Sequence, residues 1–302
     1  MERYQDRYNL KSILFGPAQM LGAILVIGLI CNSGLAGEVV IDDFSAPADG
    51  TQYQSPGSGF NEWTNTTNGT GTLGSYRDGA VGCESQGGQG DTKATLTAAE
   101  EFEMTSNNQG NSSVYLSYDD TSGWGTDDQP EGDKFNGAFS NTSNGSLGAP
   151  VDLTDGGSND RFELTFTFAD LDDGTLNNAY FNDFLITLAE NDGGTLGDES
   201  DDIEYQYNAG AGGDDSANTW MATNYSDLNA GTARTFTVDF QEFGSASLDD
   251  VEAVQLHICT EETDFDYTLT SFKATPEPGL AALAVLALAG VLGCSRPRFA
   301  RG

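Results

Sequence analysis

Phe162-Glu163-Leu164-Thr165-Phe166-Thr167-Phe168 decides the fold class. Large apolar side chains alternate with polar ones, a period of two that puts Phe162, Leu164, Phe166 and Phe168 on one face of an extended strand. The pattern recurs outward along the chain. Phe184, Ile186 and Leu188 follow the turn-rich Asp172-Asp173-Gly174. Then come Ile203, Tyr205 and Tyr207; Phe236, Val238 and Phe240; Val254, Leu256 and Ile258; and Phe265, Tyr267 and Leu269. Val39-Val40-Ile41 and Val114-Tyr115-Leu116 are earlier strand candidates. Runs of Gly, Asn, Asp, Ser and Thr, the residues that build turns, separate these segments. A helical period is nearly absent. About ten short strands at this spacing predict an all-β protein, an antiparallel β-sandwich arranged as a jelly roll. Residues 61–91 and 119–150 are rich in Gly and Asn and read as long excursions from it.

The two ends obey different physics. Arg3, Arg7 and Lys11 precede the mostly apolar stretch 13–30, and Gly34 and Ala36 supply small residues three and one positions before a cut after Ala36. Residues 1–36 therefore read as a secretory signal helix, with a cut after Gly37 as the near alternative. A lipoprotein reading of Cys31 fails on the large Ile30 before it. At the other end, Gly279–Ser295 is apolar or small, about 17 residues, the lower limit for crossing about 30 Å of hydrocarbon as a helix. Pro276 and Pro278 stop that helix from extending backwards, which leaves Pro276-Glu277-Pro278 unwound at the membrane surface. Arg296, Arg298 and Arg301 in the tail 296–302 favour a cytoplasmic carboxyl end. The predicted organisation is signal peptide 1–36, exported sandwich 37–273, linker 274–278, transmembrane helix 279–295 and basic tail.

The order Pro276-Glu277-Pro278, apolar helix, arginine tail closely resembles the PEP-CTERM sorting signal. That resemblance implies an exosortase, a membrane peptidase-transferase, as a partner that recognises the tripeptide and passes the anchored protein to the cell surface. It covers about a tenth of the chain and concerns destination. Within the exported part, Val39-Val40-Ile41-Asp42-Asp43-Phe44 and Phe265–Phe272 resemble the terminal strands of carbohydrate-binding-type jelly rolls, where first and last strands lie close together.

About 237 residues lie between Gly37 and Lys273, enough for one large domain with its own core. They hold 44 of the 47 acidic residues and six of the 12 basic ones, a formal charge of 6 − 44, near −38. Such a surface repels nucleic acid and anionic lipid and attracts divalent cations. Nucleic-acid binding is excluded. Cys83 and Cys259 are the exported cysteines, and an oxidising compartment makes a disulfide between them the expectation.

Catalytic constellations are missing from the sequence. The lone histidine, His257, faces away from Val254, Leu256 and Ile258, and no Gly-x-Ser-x-Gly is present. Acidic residues are too numerous for a glycosidase pair to stand out. Oxygen-rich loops suit a structural Ca2+, with Asp170, Asp172 and Asp173 as candidate ligands. Trp63, Trp124 and Trp220 are candidates for stacking on sugar rings. The sequence thus predicts a non-enzymatic exported protein of the cell surface or extracellular matrix. A carbohydrate-binding module acting on extracellular polysaccharide is the alternative.

Overall fold

The computed structural model describes residues 37–46, 51–54, 59–67, 69, 71–83, 92–106, 112–119, 147, 149–171, 180–190, 203–210, 213–260 and 265–276. They fall within one compact unit, Gly37–Glu277. The segments read from the sequence as signal helix, membrane helix and basic tail lie outside the described residues. Among those described, no helix is long and apolar enough to cross a membrane.

Two antiparallel sheets make up the unit. The first holds β1 (Val39–Asp42), β2 (Gln52–Gln54), β5 (Thr92–Leu96), β6 (Phe102–Ser106), β8 (Arg161–Leu171), β11 (Arg234–Asp239) and β13 (Phe265–Thr275). Its order is β11-β8-β13-β6-β5-β2, with β1 also on β13. The second holds β3 (Gly59–Thr66), β4 (Tyr76–Cys83), β7 (Ser112–Asp119), β9 (Phe181–Glu190), β10 (Ile203–Asn208) and β12 (Val251–Thr260). Its order is β10-β9-β12-β7-β4-β3. Aromatic contacts join the sheets face to face, as Tyr118 meets Phe272 at 6.3 Å and Phe166 meets Phe184 at 6.4 Å. The sandwich and its antiparallel pairing follow the sequence expectation.

Bulges adjust the expected faces. Phe162, Leu164 and Phe166 are buried, but Phe168 is only half-buried and Ala169 takes the core position. The cause is register: Thr268 pairs with Phe168 and Leu269 with Phe166, so Thr167 is extra and the face flips beyond it. A second irregularity lies between Leu269 and Ser271, after which Phe272 and Ala274 continue the core begun by Phe265, Tyr267 and Leu269. Phe240 leaves its strand altogether. It opens a short 3₁₀ turn, Phe240–Phe243, and packs edge-on against Phe162 at 4.8 Å.

Two larger differences concern segments read as loops. The predicted excursion 61–91 contains most of β3 and β4, paired from Gly59↔Cys83 to Thr66↔Tyr76. Glycine there serves packing, because the Trp63 indole lies flat over Gly79. A Cβ on Gly79 would come within 2.0 Å of that ring. The other is α1 (Ser216–Asn229), a helix whose Asn, Thr and Ser content hides its period. Ala217, Met221 and Leu228 form its buried stripe, and it packs against β8, β11 and β9. Asn218 fixes its start by donating to the Phe181 carbonyl at 2.9 Å and accepting the Phe181 amide at 2.8 Å. Gly231, at φ 75°, ends it in the left-handed conformation that glycine adopts freely.

β1 closes one side of the sandwich. It pairs with β13 through Val39↔Ala274 and Val40↔Lys273, so first and last strands are neighbours as expected. Its other edge meets the segment leading into β4, through Leu73 N–H to the Ile41 carbonyl and Asp43 N–H to the Gly71 carbonyl, both 2.8 Å. At this seam Arg77 of β4 donates two hydrogen bonds of 2.5 Å to Asp42, and neither side chain is exposed. Arg77 also donates to the Ala46 carbonyl at 2.8 Å and lies 5.4 Å over the Phe44 ring. Burial raises the Asp42 carboxyl above its ordinary pKa while Arg77 pulls it back, so the charged pair is held by geometry more than by net gain.

Two substitutions test this packing by urea unfolding. Asp42→Ala strands a buried guanidinium and should cost about 3–5 kcal/mol, whereas Asp42→Leu with Arg77→Met should recover much of the loss. Equal losses in the single and double variants would contradict the pairing. Gly79→Ala should cost about 1–3 kcal/mol by overpacking Trp63, and an unchanged midpoint would refute the contact.

Candidate functional site

The core faces of the two sheets are filled with hydrocarbon, so recognition chemistry must sit elsewhere. The second face of the six-stranded sheet is the place where polar groups concentrate. Register sets its rows. Ala80, Tyr115, His257 and Leu185 stand side by side across β4, β7, β12 and β9. One row along lie Asp78, Ser117, Gln255, Thr187 and Gln206, the last on β10. This second row is polar from end to end. Gln206 donates to the Thr187 hydroxyl at 3.3 Å. At the strand ends nearer α1, Asn208 donates to Asp183 at 2.7 Å.

Tyr115 and His257 form the centre. They are direct cross-strand partners, and their rings stack at 3.9 Å with an interplanar angle of 10°. Tyr115 is 9% exposed and His257 3%, which explains the electrostatics. Burial drives the His257 pKa down to about 3, so the imidazole is neutral at any physiological pH. A neutral imidazole pressed on a phenol ring does not shuttle protons near neutrality. Asp78 and Asp183 of this face stand on β4 and β9 with two strands between them. That is about 14 Å in the pairing direction alone, beyond the roughly 5–10 Å that glycoside hydrolysis requires.

The sequence-predicted residues are scattered. Trp63 is a correction: it is 6% exposed, stacked on Tyr53 at 4.3 Å in the inter-sheet core, and offers no sugar platform. Trp220 is half-buried on α1 against Phe166 and Phe236, with its indole N–H donated to the Thr235 carbonyl at 3.0 Å. Trp124 lies outside the described residues. The disulfide expectation is also corrected, since Cys259 is a buried thiol. Cys83 pairs with Ser112 and Cys259 with Ser113, on opposite sides of β7. Two strand spacings, about 9–10 Å, exceed the 7 Å between Cα atoms that a disulfide tolerates.

Asp170 is committed within the fold. Its carboxylate accepts from Asn229 at 2.7 Å and Tyr225 at 3.4 Å, which ties the end of α1 to β8. Asp172 and Asp173 lie outside the described residues, and among those described no cluster of three metal-ligating side chains occurs. Pro276 directly follows β13 and is half-buried. Glu277, Pro278, Arg296, Arg298 and Arg301 lie outside the described residues. The Tyr115–His257 pair escaped sequence reasoning because its members are remote in the chain. The available signal was the shared alternation of Val114-Tyr115-Leu116 and Leu256-His257-Ile258.

The buried histidine makes a pH prediction with a definite sign. Its folded pKa lies below the unfolded value of 6.5, so its contribution is full above pH 6.5 and is lost as pH falls toward 3. Between pH 7 and pH 5 the wild type should lose about 2 kcal/mol more than His257→Gln in urea unfolding. Equal losses would place the acid sensitivity in other groups.

No protein-family profile and no curated protein matches the sequence. Among solved structures, the chain is similar to the family 11 carbohydrate-binding module of cellulosomal cellulase Lic26A-Cel5E of Clostridium thermocellum. Identity is 11%, with 81% of this chain and 97% of that one covered and a TM-score of 0.33. A family 11 carbohydrate-binding module from Clostridium thermocellum in complex with a β-1,3-1,4-mixed-linked tetrasaccharide gives 11% identity, 80% and 98% coverage and a TM-score of 0.31. A structure of carbohydrate-binding modules from the β-sandwich superfamily gives 10%, 79% and 62%, with a TM-score of 0.29. Likeness at these scores transfers neither fold detail nor ligand to this chain.

Proposed function

We propose that this is an exported protein of the cell surface or extracellular matrix, a jelly-roll sandwich delivered by a carboxyl-terminal sorting signal and processed by an exosortase. The observation that carries this reading is the pairing of Val39 with Ala274. It brings the two exits of the compact unit together at one edge of one sheet. A domain tethered by an amino-terminal signal helix and a carboxyl-terminal membrane helix needs its ends on the same side, and adjacent terminal strands meet that need. The acidic exported surface fits a life outside the cell, where self-repulsion keeps such a protein dispersed.

The second reading, binding of extracellular polysaccharide, is favoured by the polar row of the six-stranded sheet, where Gln206 is exposed and Gln255 half-buried beside Thr187. Exposed amide side chains both donate and accept, as sugar hydroxyls require. The two readings are compatible: one concerns delivery, the other what is met on arrival.

Intact-mass analysis of protein extracted from the cell surface tests delivery. A carboxyl terminus within Pro276–Pro278 is expected, and a surface-extracted chain still ending in Arg301-Gly302 would reject processing. Retardation in gels cast with the producer's polysaccharide tests binding. Loss of retardation in a folded Gln206→Ala, Gln255→Ala variant, but not in Trp124→Ala, would assign the sugar to the sheet face.

A further inference from the structure

The delivery reading leaves open which bond is cut at the amino end. Gly34 and Ala36 allow a cut after Ala36, and a cut after Gly37 is nearly as good by sequence. A polar contact at the first described residue separates these choices. The Gly37 nitrogen donates to Asp155 Oδ2 at 2.7 Å, across 118 positions of chain. Both residues are exposed, and Gly37-Glu38 is irregular backbone directly before β1.

Asp155 is presented by a turn built for stiffness. Asp152 accepts the Thr154 and Gly156 amides, both at 2.8 Å. The Thr154 hydroxyl, and after it those two amides, hold the Asp152 carboxyl below its ordinary pKa. The Thr154 carbonyl accepts from Ser158 and Asn159 at 2.7 Å, and Asn159 donates its side-chain amide to the Leu153 carbonyl at 2.9 Å. Asp155 itself adopts φ 47°, a left-handed conformation that Asp and Asn tolerate better than most residues. The turn is anchored to the other end of the unit, because Asp160 N–H donates to the Thr275 carbonyl at 3.1 Å. Next to Gly37, Glu38 pairs with Lys273 of β13 at 3.1 Å. One turn therefore stands against both exits of the chain.

We propose that export hydrolyses the Ala36–Gly37 bond and that Asp155 captures the new amino terminus. Water adds across the peptide bond under a signal peptidase, leaving a carboxylate on Ala36 and an ammonium on Gly37. The nitrogen that donates as a neutral amide then donates as a cation to the same carboxylate, a charge-assisted hydrogen bond. A cut after Gly37 would place the ammonium on Glu38, whose side chain is engaged with Lys273, and would leave Asp155 without its donor. The captured ammonium fixes the start of β1, the strand that joins both sheets. This inference rests on the export reading and adds to it a defined cut and a docking residue.

The test uses the full chain recovered from the surface fraction of its producing cells. Amino-terminal mass analysis should find Gly37 first. A chain beginning at Met1 overturns the export reading and this proposal together, whereas a chain beginning at Glu38 or further on overturns only the capture. For the Gly37 form, the rate of α-amine acetylation is then followed from pH 6 to 9. The ion pair should raise the α-amine pKa by about half a unit, so the wild type should label about three-fold more slowly than Asp155→Asn at pH 7. Asn keeps the left-handed turn, and the wild-type profile alone reports the raised pKa should the variant misfold. Equal rates in the two proteins, or a wild-type α-amine at its ordinary value, would overturn the capture.

Discussion

The Asp42–Arg77 ion pair is the constraint on which the arrangement of the two sheets depends. A sandwich held by hydrocarbon alone can slide, because apolar contact has little directionality. A buried guanidinium cannot, since its five donors must meet acceptors in a fixed fork. Here the fork reaches from β4 in one sheet to Asp42 at the end of β1 and to the Ala46 carbonyl beyond it. Phe44, at φ 56° and fully buried beneath the cation, shows how tightly the chain is turned to make these contacts. The Phe44 amide also donates to Asp42 at 2.8 Å. Moving either sheet by one residue would strand charge in the core, so the pair selects one register among many that the apolar faces would accept.

That constraint also explains which parts of the fold were legible in the sequence. Alternation located β8, β9, β10, β12 and β13 because each buries one face against the opposite sheet. It lost the exact side chains wherever a bulge interrupts the period, since an extra Thr167 or a skipped Thr270 leaves no mark in composition. Strands β3 and β4 were hidden for a different reason. Their glycines resemble loop glycines, yet Gly79 is required by the Trp63 ring that lies on it. The helix was hidden by polarity: its stripe is only Ala217, Met221 and Leu228, and much of its hold on the sandwich comes from amide side chains such as Asn218. Local sequence cannot reveal a helix whose docking depends on a backbone elsewhere.

The candidate site was less legible than the fold, because it is a product of strand order. Tyr115 and His257 become neighbours only because β7 and β12 are adjacent in the sheet, and Asp78 and Gln206 reach the same row from still other parts of the chain. Sequence reading could place His257 on the second face by alternation. It could not supply the ring that stacks on it. The same logic separates the cysteines, for β7 stands between Cys83 and Cys259 and puts them out of disulfide reach. Counting residues identifies possible partners, but sheet order decides which of them meet.

Without that disulfide, the ends of the unit carry more of the burden of closure. β1 is only four residues long and would be a weak strand in isolation. It is held because it touches three things at once: β13 along one edge, the segment before β4 along the other, and Arg77 through its last residue. β13 in turn pairs with β8 along nearly its whole length. Tension applied at either exit would therefore act first on β1 and β13 together. Antiparallel pairing places their exits at one end of one ladder, where load on the carboxyl end is shared through β8 and load on the amino end through Arg77. The strands at those exits are thus cross-braced, and the buried Asp42–Arg77 pair is one of the braces.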